Sequence, residues 1–508
     1  LNQYNEILNT HNHILDLVFS NVHCQVEASD LLLVDEDSHH PPLCITVRTS
    51  SSHQRQFPMN DELECYNFKR ANFPLLYETL LSTNWNFLEG NLDVDQACTL
   101  FYEKLNQIFD IAVPKYKPKN YSRNKYPPWF DNETINSIRN KIKVLKLYKK
   151  HRTDYNFKLF KFHRLRCKKL ISLSYKRYIQ KLENNISSEP KSFWTFIQNK
   201  KKCTRIPGVM NFNDCELSSP KAIVDAFAQY FGSVYIKHDS QYNFNNSLEV
   251  APQLFVSASH MSQNDVFLVL KNCKDTFTTG PDGVPCFLLK DCAGVLASPL
   301  CKLFNFILKQ NQMPKQWKKA YVCPIFKSGD ITNVTNYRPI SLLSNFAKVF
   351  ETLLYKQLFS SLKCYISPQQ HGFVEKRSTI TNLASFSQYV SESIDSRGQV
   401  DTIYTDFCKA FDQIDHFVLL DKLRRFGFSE SLCKLFRSYL TDREQVVRYQ
   451  NFFSKTIIPT SGVPQGSNLG PLLFLLFIND IVENITCEKL LFADDLKLFL
   501  AINTTDVT

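Results

Sequence analysis

The sequence has no long apolar run and no closely spaced cysteines. Its longest strongly apolar run, residues 472–478, is too short to span a bilayer, and its first residues lack a signal-peptide pattern. The 16 cysteines are scattered, without a Cys-x-x-Cys pair or a Cys/His cluster at zinc spacing. The sequence therefore shows no sign of a membrane span, a secretory address or a zinc finger. We expect reduced cysteines in an intracellular protein without a membrane partner.

Acidic residues are scarce in one segment. Residues 115–205 hold 26 Lys and Arg against 5 Asp and Glu, whereas the rest of the chain holds 34 against 44. Residues 135–186 contain no proline or glycine, and their apolar residues recur at helical spacing, which predicts two or three long helices with basic faces. Aromatic residues are interleaved with these charges. A solvated helix face is the alternative, but a charge this one-sided favours salt-dependent nucleic-acid binding.

Glycine is scarce before residue 250, and ten of the thirteen glycines follow it. Many of them mark turns between apolar segments. Residues 320–327 and 336–343 predict a hairpin with Lys327 and Arg338 on one side, where an arginine fork and a lysine charge suit a triphosphate. The alternative is a pair of ordinary surface cations.

Three further motifs follow in order. A β-rich run ends at Asp406, which fits a metal ligand or, alternatively, a helix N-cap. A turn containing Gln465 and Gly466 precedes an apolar, buried helix, where it can approach a ligand or merely start that helix. Asp494 and Asp495 follow Phe-Ala between two apolar runs, which predicts a tight hairpin with both carboxylates at its tip; the alternative is a plain surface turn.

Residues 1–48 predict strands, and they contain Asp16 and a His-His-Pro-Pro turn that includes His40. This pattern resembles the last two motifs of the exonuclease-III-like endonuclease domain of non-LTR retrotransposons. In that family the aspartate orients a catalytic histidine. His39 stands where the family has aspartate, and the earlier acidic motifs are absent. We expect a C-terminal endonuclease remnant without nuclease activity.

The order of the C-terminal motifs resembles the reverse transcriptases of non-LTR (LINE-type, jockey-like) retrotransposons, from about residue 270 onward. The resemblance implies an RNA-directed DNA polymerase in which two Mg²⁺ ions, or Mn²⁺ as a substitute, bind an acidic cluster. It assigns the metals and catalysis to Asp406, Asp494 and Asp495. It also implies that Phe411 is the steric gate against a 2′-OH. The residues that it assigns to binding of the incoming nucleotide are Lys327, Arg338, Phe407, Phe411, Gln465 and Gly466.

The predicted fold is α+β, with right-hand polymerase fingers and palm preceded by a basic helical region and a short β remnant of an endonuclease domain. The expected domains are the remnant (1–48), a linker region (49–125), a basic nucleic-acid-binding region (126–250), and fingers and palm (251–508) with the thumb missing. The implied partners are template RNA, primer DNA and dNTPs, in a retrotransposon RNA–protein particle of nucleus and cytoplasm. The sequence leaves the oligomeric state open.

Two other functions compete with this prediction. An RNA-dependent RNA polymerase shares the palm but must accept a 2′-OH, and a bulky Phe411 argues against that. A catalytically inactive, truncated copy would retain only nucleic-acid binding. The sequence ends 13 residues after Asp495, which leaves no room for a thumb and keeps this alternative open.

Overall fold

The structure is a computed structural model, and it describes residues 2–21, 23–30, 33, 39–47, 64–90, 92–116, 126–201, 206–236, 255–449, 451–483 and 485–502. No helix within these residues is long and apolar enough to cross a membrane. The chain divides into two compact units. Unit 1 comprises residues 1–64 and 117–205, and unit 2 comprises residues 65–116 and 206–508.

Within the described residues, the strands are β1 (Asn2–Gln3), β2 (Phe19–Ser20), β3 (Cys24–Ala28), β4 (Leu43–Val47), β5 (Cys65–Tyr66), β6 (Lys115–Tyr116), β7 (Met210–Phe212), β8 (Cys215–Leu217), β9 (Lys319–Phe326), β10 (Tyr337–Leu342), β11 (Gln399–Asp406), β12 (Glu444–Tyr449), β13 (Phe452–Ile457), β14 (Glu488–Phe492) and β15 (Asp495–Ile502).

The α-helices of the same residues are α1 (Phe73–Ser82), α2 (Val94–Ala112), α3 (Asn132–Lys150), α4 (Asp154–Asn184), α5 (Pro190–Lys201), α6 (Pro220–Ser233), α7 (Gln263–Lys271), α8 (Cys286–Asp291), α9 (Ala293–Gln310), α10 (Lys315–Lys318), α11 (Asn345–Leu362), α12 (Thr379–Asp395), α13 (His416–Arg425), α14 (Glu430–Leu440) and α15 (Gly470–Ile478).

Unit 1 contains two small β ladders and the predicted basic helices. β1 pairs with β2 and β3 pairs with β4, both antiparallel. The N-cap side chains Asp131 and Thr153 start α3 and α4, each accepting a hydrogen bond from a backbone N–H in the first turn. Tyr148 and Phe160 are buried between these two helices with their rings 6.3 Å apart. These two aromatic residues therefore pack the helix pair.

The larger core of unit 2 joins segments that are far apart in the sequence. The ring of Phe101 in α2 meets that of Phe346 in α11 edge to face, with 5.5 Å between centroids. The indole of Trp317 donates to the hydroxyl of Tyr102, which in turn donates to half-buried Asp282 over 2.9 Å. Burial of each large apolar side chain contributes about 1.5–3 kcal/mol. The helices of residues 65–116 are thus part of the folded core.

A four-stranded sheet has the order β10-β9-β12-β13. β9 and β10 form the predicted antiparallel hairpin, and β12 pairs with β9 in parallel. Helix α6 covers the sheet, and its Phe227 packs against Tyr337 of β10 with 5.1 Å between ring centroids. This sheet therefore has a small core of its own beside the larger one.

A three-stranded sheet has the order β11-β15-β14. β14 and β15 form the predicted hairpin, with Phe492 opposite Asp495. β11 pairs antiparallel with β15 from Gln399↔Ile502 to Asp406↔Asp495. This register brings the end of β11 to the start of β15, where three aspartates meet.

Two domain boundaries of the structure differ from the expected ones. Residues 65–116, expected within a linker region, form α1, α2 and strands of unit 2 because their apolar faces have partners far along the chain. Residues 206–236, expected within the basic region, also belong to unit 2, since α6 covers the four-stranded sheet. Residues 117–125 and 237–250 lie outside the described residues.

Candidate active site

The candidate site lies at the tip of the β14–β15 hairpin. Asp406 and Asp495 are directly opposite across two antiparallel strands, and such partners project from the same face with Cβ atoms about 5 Å apart. Asp494 occupies the turn before Asp495. The register therefore brings together the three carboxylates that the sequence predicted as a cluster.

The electrostatics of Asp495 reflect this crowding. The pKa of its carboxyl is raised, first by burial and then by the negative charges of Asp494 and Asp406, while the cation of Lys327 opposes the rise. Among the described residues, no three His, Cys, Asp or Glu side chains converge closely enough to hold a metal ion. The carboxylates are thus neighbours that repel one another, not a closed cage.

The β9–β10 hairpin carries the two predicted cations. Arg338 lies opposite Ile325, and the Lys327 N–H donates to the carbonyl of Asn336 over 2.9 Å. Because side chains alternate along strands, this register directs Lys327 and Arg338 to the same face of the hairpin. Both side chains are exposed. The register agrees with the predicted arrangement of the cations on one side, and their role toward a nucleotide stays a prediction.

Two phenylalanines follow Asp406. Phe407 is 39% exposed, directly after the carboxylate. The ring of Phe411 stacks on Phe474 of α15, with 4.6 Å between centroids and 12° between planes, and meets Phe373 edge to face. The position of Phe411 is therefore fixed from two sides.

The turn before α15 is joined to the rest of the site by hydrogen bonds. The carbonyl of Gln465 accepts from the N–H of Ser341 over 2.7 Å. Gly466 has a φ of +113°, and a Cβ at this position would lie 2.6 Å from the carbonyl oxygen of Ser341. Only glycine fits this approach. The turn thus packs against β10, which carries Arg338.

Asp412 is a site residue to which the sequence analysis gave no role. Its carboxylate is buried and accepts from Nε2 of Gln465 with both oxygens, at 2.9 and 2.8 Å. Burial raises the pKa of Asp412 to about 6, against the opposing effects of the Gln465 bond and Lys409. The one available signal was an aspartate directly after Phe411 in a short segment that also contains Ala410 and Ile414.

Asp16 and His40, the residues of the predicted endonuclease remnant, lie in unit 1. Nδ1 of His40 is 3.0 Å from Oδ1 of Asp16, so the two predicted residues are in contact. Both side chains are partly exposed, at 54% for His40 and 37% for Asp16. Residues 34–38 of the same motif lie outside the described residues.

Residues 325–505, which contain every unit 2 residue of this site, match the family described as Reverse transcriptase (RNA-dependent DNA polymerase). The chain contains a reverse transcriptase domain. The probable RNA-directed DNA polymerase from transposon BS of Drosophila melanogaster is 29% identical over 266 residues, which cover 52% of this chain and 29% of the relative. The probable RNA-directed DNA polymerase from transposon X-element of Drosophila melanogaster is 24% identical over 480 residues, or 91% of this chain and 51% of the relative.

The RNA-directed DNA polymerase from mobile element jockey of Drosophila melanogaster is 32% identical over 185 residues, which cover 36% of this chain and 20% of the relative. The chain thus spans about half or less of the length of these curated relatives. The homologues of the reverse transcriptase domain are RNA-directed DNA polymerases of non-LTR retrotransposons. The predicted resemblance is confirmed for this domain, whereas the endonuclease remnant and the roles of single residues stay predictions.

Proposed function

We propose that the chain extends a DNA 3′ end on an RNA template, with the four-stranded sheet as the fingers and the three-stranded sheet as the palm. The observation that carries the proposal is the pairing of Asp406 with Asp495 beside Asp494, within a reverse transcriptase domain. The exposed cations complement the negative charge of a nucleoside triphosphate, and the clustered carboxylates would bind it and the primer end through divalent cations. Template RNA, primer DNA and dNTPs are the corresponding partners.

The donor set fits Mg²⁺ in kind, because hard divalent cations prefer carboxylate oxygens. The raised pKa of Asp495 supports the same assignment, since a bound cation would relieve the repulsion among the carboxylates. Asp406 and Asp494 would hold the ions, with Asp495 beside them. When bound, two such ions neutralise charge on the attacking oxygen, the transferred phosphate and the leaving pyrophosphate.

The other residues have roles that follow from their own positions. Lys327 and Arg338 bind the triphosphate, because the effect of Lys327 on Asp495 indicates that this hairpin reaches the carboxylates. Phe411, fixed between two aromatic rings, excludes a 2′-OH and so selects dNTPs. Gln465 is oriented by Asp412 and lines the nucleotide together with Gly466. The backbone carbonyl of Phe407 lies next to the first carboxylate.

Unit 1 supports a second, independent activity. Most of the basic side chains of α3 and α4 are exposed, so they are available to phosphates. Tyr155 and Phe162 are 73% and 59% exposed among these charges, as residues that stack on unpaired bases require. An inactive copy would retain this nucleic-acid binding alone. The Asp16–His40 contact supports an endonuclease remnant in this unit.

Asp494→Asn tests the polymerase proposal. The substitution preserves size but removes a carboxylate charge, so primer extension by the chain on an RNA template should fall at least a thousandfold. Asp401→Asn is the matched control, because Asp401 is an exposed residue of the same three-stranded sheet. Mn²⁺ binding, followed by electron paramagnetic resonance, is measured in parallel and should be lost only in Asp494→Asn. Undiminished extension or Mn²⁺ binding in Asp494→Asn would refute the assignment.

A further inference from the structure

A loop of unit 2 lies beside the acidic hairpin and has no role in the proposed chemistry. The carbonyl of Gln369 accepts from the N–H of Leu491 over 3.0 Å, and the N–H of His371 donates to the carbonyl of Leu491 over 2.9 Å. Gln370 and Leu491 therefore form a parallel β-bridge. The loop acts as a short additional strand along β14, one residue before the turn that carries Asp494.

The side chain of Gln370 binds the turn itself. It is 3% exposed, and its Oε1 accepts from the N–H of Ala493 at 2.9 Å while its Nε2 donates to the carbonyl of Ala493 at 3.2 Å. Oε1 also accepts from the N–H of Gly372 at 2.7 Å. Buried backbone groups need partners. One primary amide therefore satisfies both polar groups of the residue that precedes Asp494.

Ala493 needs such support because of its conformation. Its φ is +57°, in the left-handed region that residues with a Cβ rarely adopt. Strained conformations of this kind persist where the surrounding structure holds them. The side chain of Gln370 bonds to both the N–H and the carbonyl of Ala493. The direction in which the chain leaves Ala493, and so the position of Asp494, depends on these contacts.

The loop that carries Gln370 is itself fixed in place. A Cβ added to Gly372 would lie 2.1 Å from the backbone nitrogen of Ala493. The loop backbone and the hairpin backbone therefore pack so closely that only glycine fits between them. Arg377 donates from Nη1 to the carbonyls of Pro368 and Gln370, at 2.7 and 2.6 Å. The amide of Gln370 is therefore presented from a rigid base.

We propose that Gln370 is a positioning residue, which holds the Ala493 turn so that Asp494 and Asp495 face Asp406. Gln370 makes no contact with substrate and acts through the hairpin alone. This inference rests on the proposed function for its effect on catalysis, but the contact between Gln370 and Ala493 can be tested without any catalytic activity.

Three variants separate the contributions of the amide. Gln370→Met keeps the length and removes every hydrogen bond. Gln370→Glu keeps the acceptor oxygens but loses the donor to the carbonyl of Ala493. Gln369→Met is the matched control, because the side chain of Gln369 accepts from the hydroxyl of Ser367 and not from the hairpin. We expect the backbone amides of the hairpin to be protected from hydrogen exchange most strongly in the wild type and the control. Protection should be weaker in Gln370→Glu and weakest in Gln370→Met.

Hydrogen exchange of the full chain, measured by mass spectrometry, gives the first readout. In the wild type, the Ala493 amide should exchange as slowly as those of β14, although turn amides ordinarily exchange fast. Gln370→Met should speed exchange at residues 491–495 at least tenfold, without changing peptides from α9 or α11. A fast Ala493 amide in the wild type, or unchanged hairpin exchange in Gln370→Met, would overturn the proposal. The wild-type measurement decides it even if the variants fail to fold.

Mn²⁺ binding and steady-state kinetics give the second readout. Residues that orient metal ligands typically change affinity or activity 10- to 100-fold. We expect a loss of this size in Mn²⁺ affinity and kcat for Gln370→Met, with little change in the KM for dNTP. Mn²⁺ binding that survives Asp494→Asn would instead refute the metal assignment, and the exchange data would still test Gln370. Full Mn²⁺ affinity in Gln370→Met with Asp494-dependent binding would overturn the positioning role.

Discussion

The buried carboxyl of Asp412 makes unit 2 sensitive to pH, and Asp412→Asn should remove that sensitivity. The folded-state pKa of about 6 lies above the ordinary value of 3.8, chiefly because of burial. Well below pH 3.8 the carboxyl is protonated in both states. Between pH 4 and 6 the unfolded chain releases a proton that the folded chain keeps, so the free energy of unfolding falls as the pH rises.

The size of this effect follows from the two pKa values. A difference between about 6 and 3.8 corresponds to about 3 kcal/mol of folding free energy, fully lost above pH 6. Asp412→Asn has no such group, although it keeps an oxygen that can accept from Gln465. The stability of the variant relative to wild type should therefore rise by about 2.4 kcal/mol from pH 4 to pH 7, since the remainder of the change lies below pH 4.

Urea unfolding at several pH values between 4 and 7 measures this difference, with hydrogen exchange of α13 and α15 peptides used to follow unit 2. Titrations common to both proteins cancel in the comparison. Asp401→Asn, which changes an exposed aspartate of the same unit, is the control. A flat difference for Asp412→Asn, or one that falls toward pH 7, would refute the reasoning about burial.

Two further predictions concern selectivity and nucleic-acid binding. Phe411→Val should raise the ratio of rNTP to dNTP incorporation roughly ten- to a hundredfold, because it removes the ring that we propose to exclude a 2′-OH. Phe453→Val, on the four-stranded sheet, is the control, and an unchanged ratio would remove Phe411 as the gate. Replacing seven basic residues of α3 and α4 by glutamine should weaken RNA binding and flatten its salt dependence by about 0.7 in slope for each lost phosphate contact. Replacing the exposed unit 2 residues Lys271 and Lys309 should leave that slope unchanged, and an unchanged slope in the first variant would identify α3 and α4 as merely solvated. The seven residues are Lys141, Lys143, Lys146, Lys149, Lys150, Arg164 and Arg166.

Local patterns in the sequence predicted the elements that carry the site. Both hairpins, β9–β10 and β14–β15, follow from apolar runs separated by short turns, and the structure confirms them. The position of Asp406 at the end of β11 was also predicted, from the β-rich run that precedes it. In a strand–turn–strand pattern the pairing partner of each strand can be predicted, because two strands joined by a short turn pair with each other.

Long-range partners could not be predicted in the same way. The apolar spacing of α2 indicates a buried face, but nothing in it identifies Phe346 of α11 as the neighbour of Phe101. The parallel pairing of β12 with β9 joins residues more than 100 positions apart. The bonds from Gln465 to Asp412 and from Gln370 to Ala493 also join segments far apart in the chain, and no local pattern predicts them.

The composition of unit 2 from two separated stretches of chain has a consequence for synthesis on the ribosome. The apolar face of α2, with Phe101 and Leu105, is complete long before α11 with Phe346 is made. At about 5–20 residues per second, the roughly 240 intervening residues take on the order of 10 to 50 s to add. During that time α3 and α4 are synthesised. The surface that we propose to bind nucleic acid is therefore made before the core of unit 2 can close.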